Sequence, residues 1–130
     1  MKTILVNELT KEQLDFFAAK AQDPSAMIGR SGHPNCTING INYGIIRMVI
    51  YSDYSPTSDT QAGKAQLVDL IVKFKISSAY YDWQHGNEPY WAAAVKGDPI
   101  ISGPTYHLAI TRAVVASVFG SEVEVEDEWN

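Results

Sequence analysis

Residues Ser102 to Gly120 constrain the fold of this chain more than any other stretch. Pro104 and Thr105 suit a first helical turn, where a missing or capped N–H costs little. Gly120 suits the stop at the other end. Between them the residues are apolar almost all round, so a helix here must be buried on more than one side. Arg112 is the exception. On a 3.6-residue wheel it falls among Leu108, Val115 and Phe119, where a guanidinium needs a carboxylate, a carbonyl or a bound anion. Asp59, Asp53 and Glu8 are the candidate carboxylates.

A capping box opens a second helix. Thr10 and Gln13 occupy the N-cap and N3 positions, and Leu9 and Leu14 take the places of a hydrophobic staple. Leu14, Phe17, Ala18 and Ala21 continue at helical spacing, which predicts a helix from Lys11 to Ala21, ended by Asp23-Pro24. Ser25 to Gly40, rich in Gly, Pro and Asn, reads as a long loop. Ile41 to Ser52 reads as a strand, with Gly44 as a bulge or a turn dividing it. After the polar turn Asp53 to Asp59, capped by Ser58 or Asp59, a helix is expected to Leu70 and a strand from Val72 to Ser78. Asp82 to Pro89 reads as a turn and Tyr90 to Val95 as a strand. In Glu122 to Asn130 the Glu-Val alternation permits an edge strand, but the charge favours a solvated acidic tail. The expected organisation is one α+β domain over 1–120, with the tail at 121–130. An antiparallel sheet of about three strands packs with N- and C-terminal helices as an α/β sandwich.

The net charge is −5, and five acidic residues fall after Ser121, so the remainder is close to neutral. That balance argues against a nucleic acid duplex as partner, which needs a basic face. No apolar run is long enough to span a bilayer, and the first residues do not form a signal peptide. Cys36 is the single cysteine, so no intrachain disulfide forms and a cytoplasmic setting is the default expectation.

Three segments resemble the NinX-like group of small phage and prophage proteins. They are Asn7-Glu8-Leu9-Thr10 with Leu14 and Ala18-Ala19-Lys20-Ala21, Tyr54 to Asp59 with Gln61-Ala62-Gly63, and Gly103-Pro104-Thr105 through Arg112 and Phe119-Gly120 to Glu122-Val123-Glu124-Val125. This chain carries Thr60, Tyr106 and His107 where that group has a tryptophan, a proline and an apolar residue. The resemblance implies a phage accessory protein without an established activity, acting in the bacterial host cytoplasm with an α/β sandwich fold. The expected α-β-β-β-α skeleton also resembles double-stranded RNA-binding domains, but the start of the last helix rules that reading out. Those domains rely on a basic start to the last helix, where Thr105, Tyr106 and His107 stand here.

The candidate site residues are Tyr54, Ser55, Thr57, Asp59, Trp91, Gly103, Thr105 and Arg112. Gly103 and Thr105 open a helix whose free N–H groups and hydroxyl suit an anion, although a plain N-cap has the same appearance. Tyr54 to Asp59 gathers hydroxyls and a carboxylate on a loop. Tyr80, Tyr81, Trp83, Tyr90 and Trp91 form an aromatic group able to stack a ring or simply to pack, and the family resemblance singles out Trp91. His33 with Cys36 lacks a second ligand pair for zinc, and His85 has no companion. A Cys36, His33 and Asp53 nucleophile set has no signature behind it, and no phosphate-binding or zinc-protease motif is present. The expected function is therefore capture of a small anionic or nucleotide ligand, without a cofactor or a metal. The alternative is a protein-interaction module that docks on a host factor through its acidic surface.

Overall fold

The computed structural model describes residues 1–29, 32–82, 88–126 and Trp129. Strand β1 (Lys2–Leu5) leads through a 3-10 turn into helix α1 (Lys11–Gln22). Five short strands follow: β2 (Met27–Ile28), β3 (Pro34–Ile38), β4 (Ile41–Tyr43), β5 (Ile45–Ile46) and β6 (Val49–Ile50). Helix α2 (Gln61–Phe74) precedes β7 (Ile76–Tyr81), β8 (Tyr90–Val95) and β9 (Ile101–Gly103). Helix α3 (Tyr106–Phe119) and β10 (Glu122–Val125) complete the chain. The fold is α+β. The described strands divide into four small antiparallel sheets, of which β7–β8–β9 lies against α3.

Local chemistry accounts for the helix ends. The Gln13 N–H donates to the Thr10 hydroxyl at 3.2 Å and the Thr10 N–H donates to the Gln13 side chain at 2.9 Å, the reciprocal capping box read from the sequence. Thr105 caps α3 through the Leu108 N–H, and Gly120 at φ +89° ends it. The cap of α2 is Thr60, which accepts from the Gly63 N–H, rather than Ser58 or Asp59.

Three expectations are corrected. The loop expected over Ser25 to Gly40 contains β2 and β3. Pro34, Cys36 and Ile38 alternate into the interior, a period-2 signal hidden by the surrounding Gly and Asn. The helix expected to stop at Leu70 runs to Phe74, and the strand begins at Ile76. The chain reverses at Lys75, which takes a left-handed φ of +55°. Within the acidic segment, Glu122 to Val125 form a strand rather than part of a solvated tail. Strand β10 pairs with β1 in register Lys2↔Val125 to Leu5↔Glu122, burying Val123 and Val125 while Glu122 and Glu124 face outward. Ile41 to Ser52 is divided at Gly44, where φ is +81° and a Cβ would run into the Asn35 side chain. It turns again at Arg47-Met48, both at positive φ. The stretch expected as a turn at Asp82 to Pro89 lies largely outside the described residues.

Helix α3 separates two buried clusters. Val114 and Val115 join Leu14, Phe17, Leu70, Val123 and Val125 on one side. Ala109, Ile110 and Ala113 join Leu67 and Ala93 on the other. The continuously apolar sequence of α3 is thus used on both faces. Burying a valine side chain contributes about 1.5–3 kcal/mol. Truncation after Ser121 is therefore expected to lower the unfolding free energy by several kcal/mol in a denaturant titration. An unchanged midpoint would show that the β1–β10 pairing contributes nothing.

Candidate functional site

The loop before α2 is unusual because it is buried. Tyr54, Ser55, Pro56 and Thr57 are all in the interior, so their polar groups need partners there. Two side chains from the helices supply them. Gln66 of α2 accepts the Ser55 N–H at 2.7 Å and donates to the Asp53 carbonyl at 2.9 Å. Asp15 of α1 accepts the Thr57 N–H and the Thr57 hydroxyl, each at 3.0 Å. The Tyr54 hydroxyl accepts from the Gln22 amide at 2.7 Å, and its ring meets Tyr43 edge-on at 5.2 Å. Gly63 is required where α2 docks, since a Cβ would collide with the Ser55 and Ser58 carbonyls.

Asp15 was not legible in the sequence. It stands between Leu14 and Phe16 and off the apolar stripe, with nothing local to mark it as interior. Burial is the dominant influence on its carboxyl, which rises to about 7 against the lowering effect of the two Thr57 bonds. Glu12 adds a further rise and Lys11 opposes it.

The eight candidate residues do not converge. Ser55, Thr57 and Asp59 border a cleft of about 380 Å³, together with Lys11, Glu12, Asp15, His33 and Asp53. Tyr54 instead lines a larger groove of about 530 Å³ between the β3–β4 hairpin and α2. Arg112, Gly103, Thr105 and Trp91 border neither. Arg112 donates to the Ser102 carbonyl at 3.0 Å and to the Asn7 carbonyl at 3.1 Å, so backbone carbonyls take the role for which Asp59, Asp53 and Glu8 were candidates. Desolvation lowers its pKa, and its Nε is buried without a partner. Gly103 lies close enough to Ala109 and Arg112 that a Cβ would crowd both. The Trp91 ring contacts Tyr80 at 5.0 Å and Tyr106 at 4.8 Å, which makes it part of a packed aromatic row. Tyr81 stacks on Tyr90, while Trp83 and His85 lie outside the described residues. Asp59 is exposed, 3.5 Å from Lys64 and 4.0 Å from His107.

The reactive side chains are placed conservatively. Cys36 is buried, and desolvation pushes its thiol up to about 12, far from a nucleophilic thiolate. His33 Nε2 stands 3.7 Å from the Asp53 carboxylate. Among the described residues no three His, Cys, Asp or Glu side chains are arranged to hold a metal ion. Among the described residues no helix is long and apolar enough to cross a membrane.

Asp15 gives stability a pH dependence of definite sign. The folded protein keeps this proton to about pH 7, whereas the unfolded chain releases it near 3.8. Between those values the folded state binds more protons, so this contribution is full below about pH 4 and is lost as pH rises through 7. Asp15→Asn keeps a neutral, hydrogen-bonding group and is expected to abolish that slope. At pH 8 the variant should be more stable than the parent by roughly 2–4 kcal/mol in denaturant melts. Arg112→Met leaves two carbonyls without their donor and should cost about 1–3 kcal/mol in the same assay.

No protein-family model matches the chain, and no curated protein is significantly similar to it. The likeness to NinX-like proteins therefore rests on the three segments quoted above.

Proposed function

We propose that this protein is a small-molecule binding module whose ligand carries a flat polar ring of the nucleoside class. The observation that supports this reading is the groove of about 530 Å³ between the β3–β4 hairpin and α2. Its size is typical of small-molecule sites, which combine apolar walls with a few polar groups. Tyr43, Tyr51 and Tyr54 supply aromatic surface, and Ile38, Ile41 and two alanines supply the rest of the apolar lining. Tyr51 is the most open of the three rings, suited to stacking a base. Asn39, Asn42 and Asp69 stand along the lining, where the Asn39 amide already donates to the Asp69 carboxylate at 3.2 Å. The Asn42 Oδ1 already accepts from Thr37, which leaves its amide N–H groups for a ligand acceptor.

Charge refines the ligand class. Asp69 is the one charged residue lining the groove, and it is paired with Lys73 at 3.2 Å. A nucleoside or singly charged nucleotide fits that balance better than a polyanion. The smaller cleft, where the carboxylates of Glu12, Asp53 and Asp59 outnumber the ammonium of Lys11, opposes an anion electrostatically. The biological setting we propose is that of a phage accessory protein in a bacterial host, as the NinX-like resemblance implies. Host-factor docking through the acidic segment has less support, since Val123 and Val125 fasten that segment to β1.

The test is a thermal-shift and titration series with adenosine, guanosine and their monophosphates. Ligand at about 100 times its dissociation constant should add roughly 2.7 kcal/mol of stability. Tyr51→Ala should weaken binding by about 1–3 kcal/mol, the usual worth of one stacked base. Arg112→Lys should leave the affinity unchanged. A flat screen, or binding indifferent to Tyr51, would refute the assignment.

A further inference from the structure

The β5–β6 hairpin exposes more apolar surface than an isolated chain ordinarily carries. Met48 at its tip is 96% exposed, Ile50 is 80% exposed, and Ile45 and Val49 are each close to half exposed. Ile45 and Ile46 share a hollow of about 330 Å³ with Met27 and Ile28, which extends the apolar surface onto β2. Ile41 and Tyr51 extend it on the other side along the groove. From these exposures the surface amounts to on the order of 800 Å², the share that one partner gives to a standard-sized interface and above the usual largest patch on a monomer.

The backbone adds direction. The Tyr51 N–H donates to the Gly44 carbonyl at 2.7 Å, while the Ile45 N–H turns outward to the Asn35 side chain at 2.8 Å. The Ile45↔Ile50 pair is therefore the non-hydrogen-bonded pair of the hairpin, and the Ile50 N–H and carbonyl point away from β5. Among the described residues no strand pairs with β6 on that side. The edge carries no proline, and its nearest charge is Arg47 in the turn, so the usual guards against strand addition are missing.

We infer that β6 is the self-association surface of this protein, joining two copies by antiparallel pairing about a two-fold axis at Ile50. In that arrangement the Ile50 N–H of each copy donates to the Ile50 carbonyl of the other, and the apolar faces around Met48, Val49 and Ile45 close over the joint. An isologous contact is satisfied by one surface used twice, and it closes after two copies. Charge selects this face for a second copy. The protein carries a net charge of −5, yet Arg47 is the one charged residue between Ile38 and Ser52. Antiparallel pairing centred on Ile50 sets position 47 of each copy opposite position 53 of the other, so Arg47 meets Asp53 across the joint, while Asp23 and Asp69 line the hollow and the groove on either side.

Sedimentation velocity on the full chain across the micromolar range should show a concentration-dependent monomer–dimer equilibrium. Ile50→Lys, at an exposed position, should raise the dissociation constant at least about tenfold while circular dichroism stays unchanged. Hydrogen exchange of the Ile50 amide in the parent protein should slow as concentration rises, a readout that does not depend on any variant folding. A parent protein that is monomeric throughout would overturn the inference, whether or not the hairpin binds some other protein. So would a dimer that Ile50→Lys leaves equally tight, or an Ile50 amide whose exchange ignores concentration.

Discussion

The buried loop at residues 54–57 sets the conditions that the rest of this structure satisfies. A loop in the interior brings backbone N–H and carbonyl groups with no ladder to pair them. Here Asp15 reaches from α1 to two polar groups of Thr57, and Gln66 reaches from α2 to the Ser55 N–H and the adjoining Asp53 carbonyl. The two helices are thereby fixed relative to one another through a segment of irregular backbone. An unmade bond in this setting costs the desolvation of the orphaned group, so the arrangement is retained as a unit. The carboxyl of Asp15 bears the electrostatic consequence.

Helix α3 is the second organising element, and its single cation shows how a charge is accommodated on an apolar helix. Arg112 extends from α3 to the carbonyls of Ser102 and Asn7, at the end of the β9 side and at the 3-10 turn near the N-terminus. A planar guanidinium can hold two carbonyls in different segments at once, which a lysine ammonium does less well. The residue that most suggested an anion site is thus occupied by the protein's own backbone. The surfaces that remain open lie elsewhere: the tyrosine-lined groove against α2 and the apolar β5–β6 hairpin beside it. Tyr51 borders the groove and directly follows Ile50, so a ligand in the groove and a partner on β6 would be neighbours.

Local signals are legible in the sequence because each rests on residues a few positions apart. The Thr10–Gln13 capping box, α1, the strand Tyr90 to Val95, the Thr105 cap and the Gly120 stop depend only on local geometry and spacing. The burial of α3 on two sides also followed, since no other environment tolerates so continuous an apolar surface. Where two local readings competed, the outcome depended on packing. Residues 71–76 suit either a helix or a strand, and Lys75 in a left-handed conformation put the boundary after Phe74. Glu122 to Val125 suits either a tail or a strand, and β1 decided for the strand by offering an edge and a place for two valines.

The sequence by itself determined the α+β class, the helix ends and the requirement that Arg112 find a polar partner, because propensity, capping and the cost of burying a charge act on the chain locally. Only the tertiary structure decided what that partner is, which carboxylate lies inside, and which candidate residues share a cavity. Thr57 bonds Asp15 across some forty residues of chain, and Ser55 and Asp59 border the same cleft, which Trp91, Gly103, Thr105 and Arg112 do not line. Such contacts arise from how helices and sheets pack, and no spacing along a single sequence encodes them.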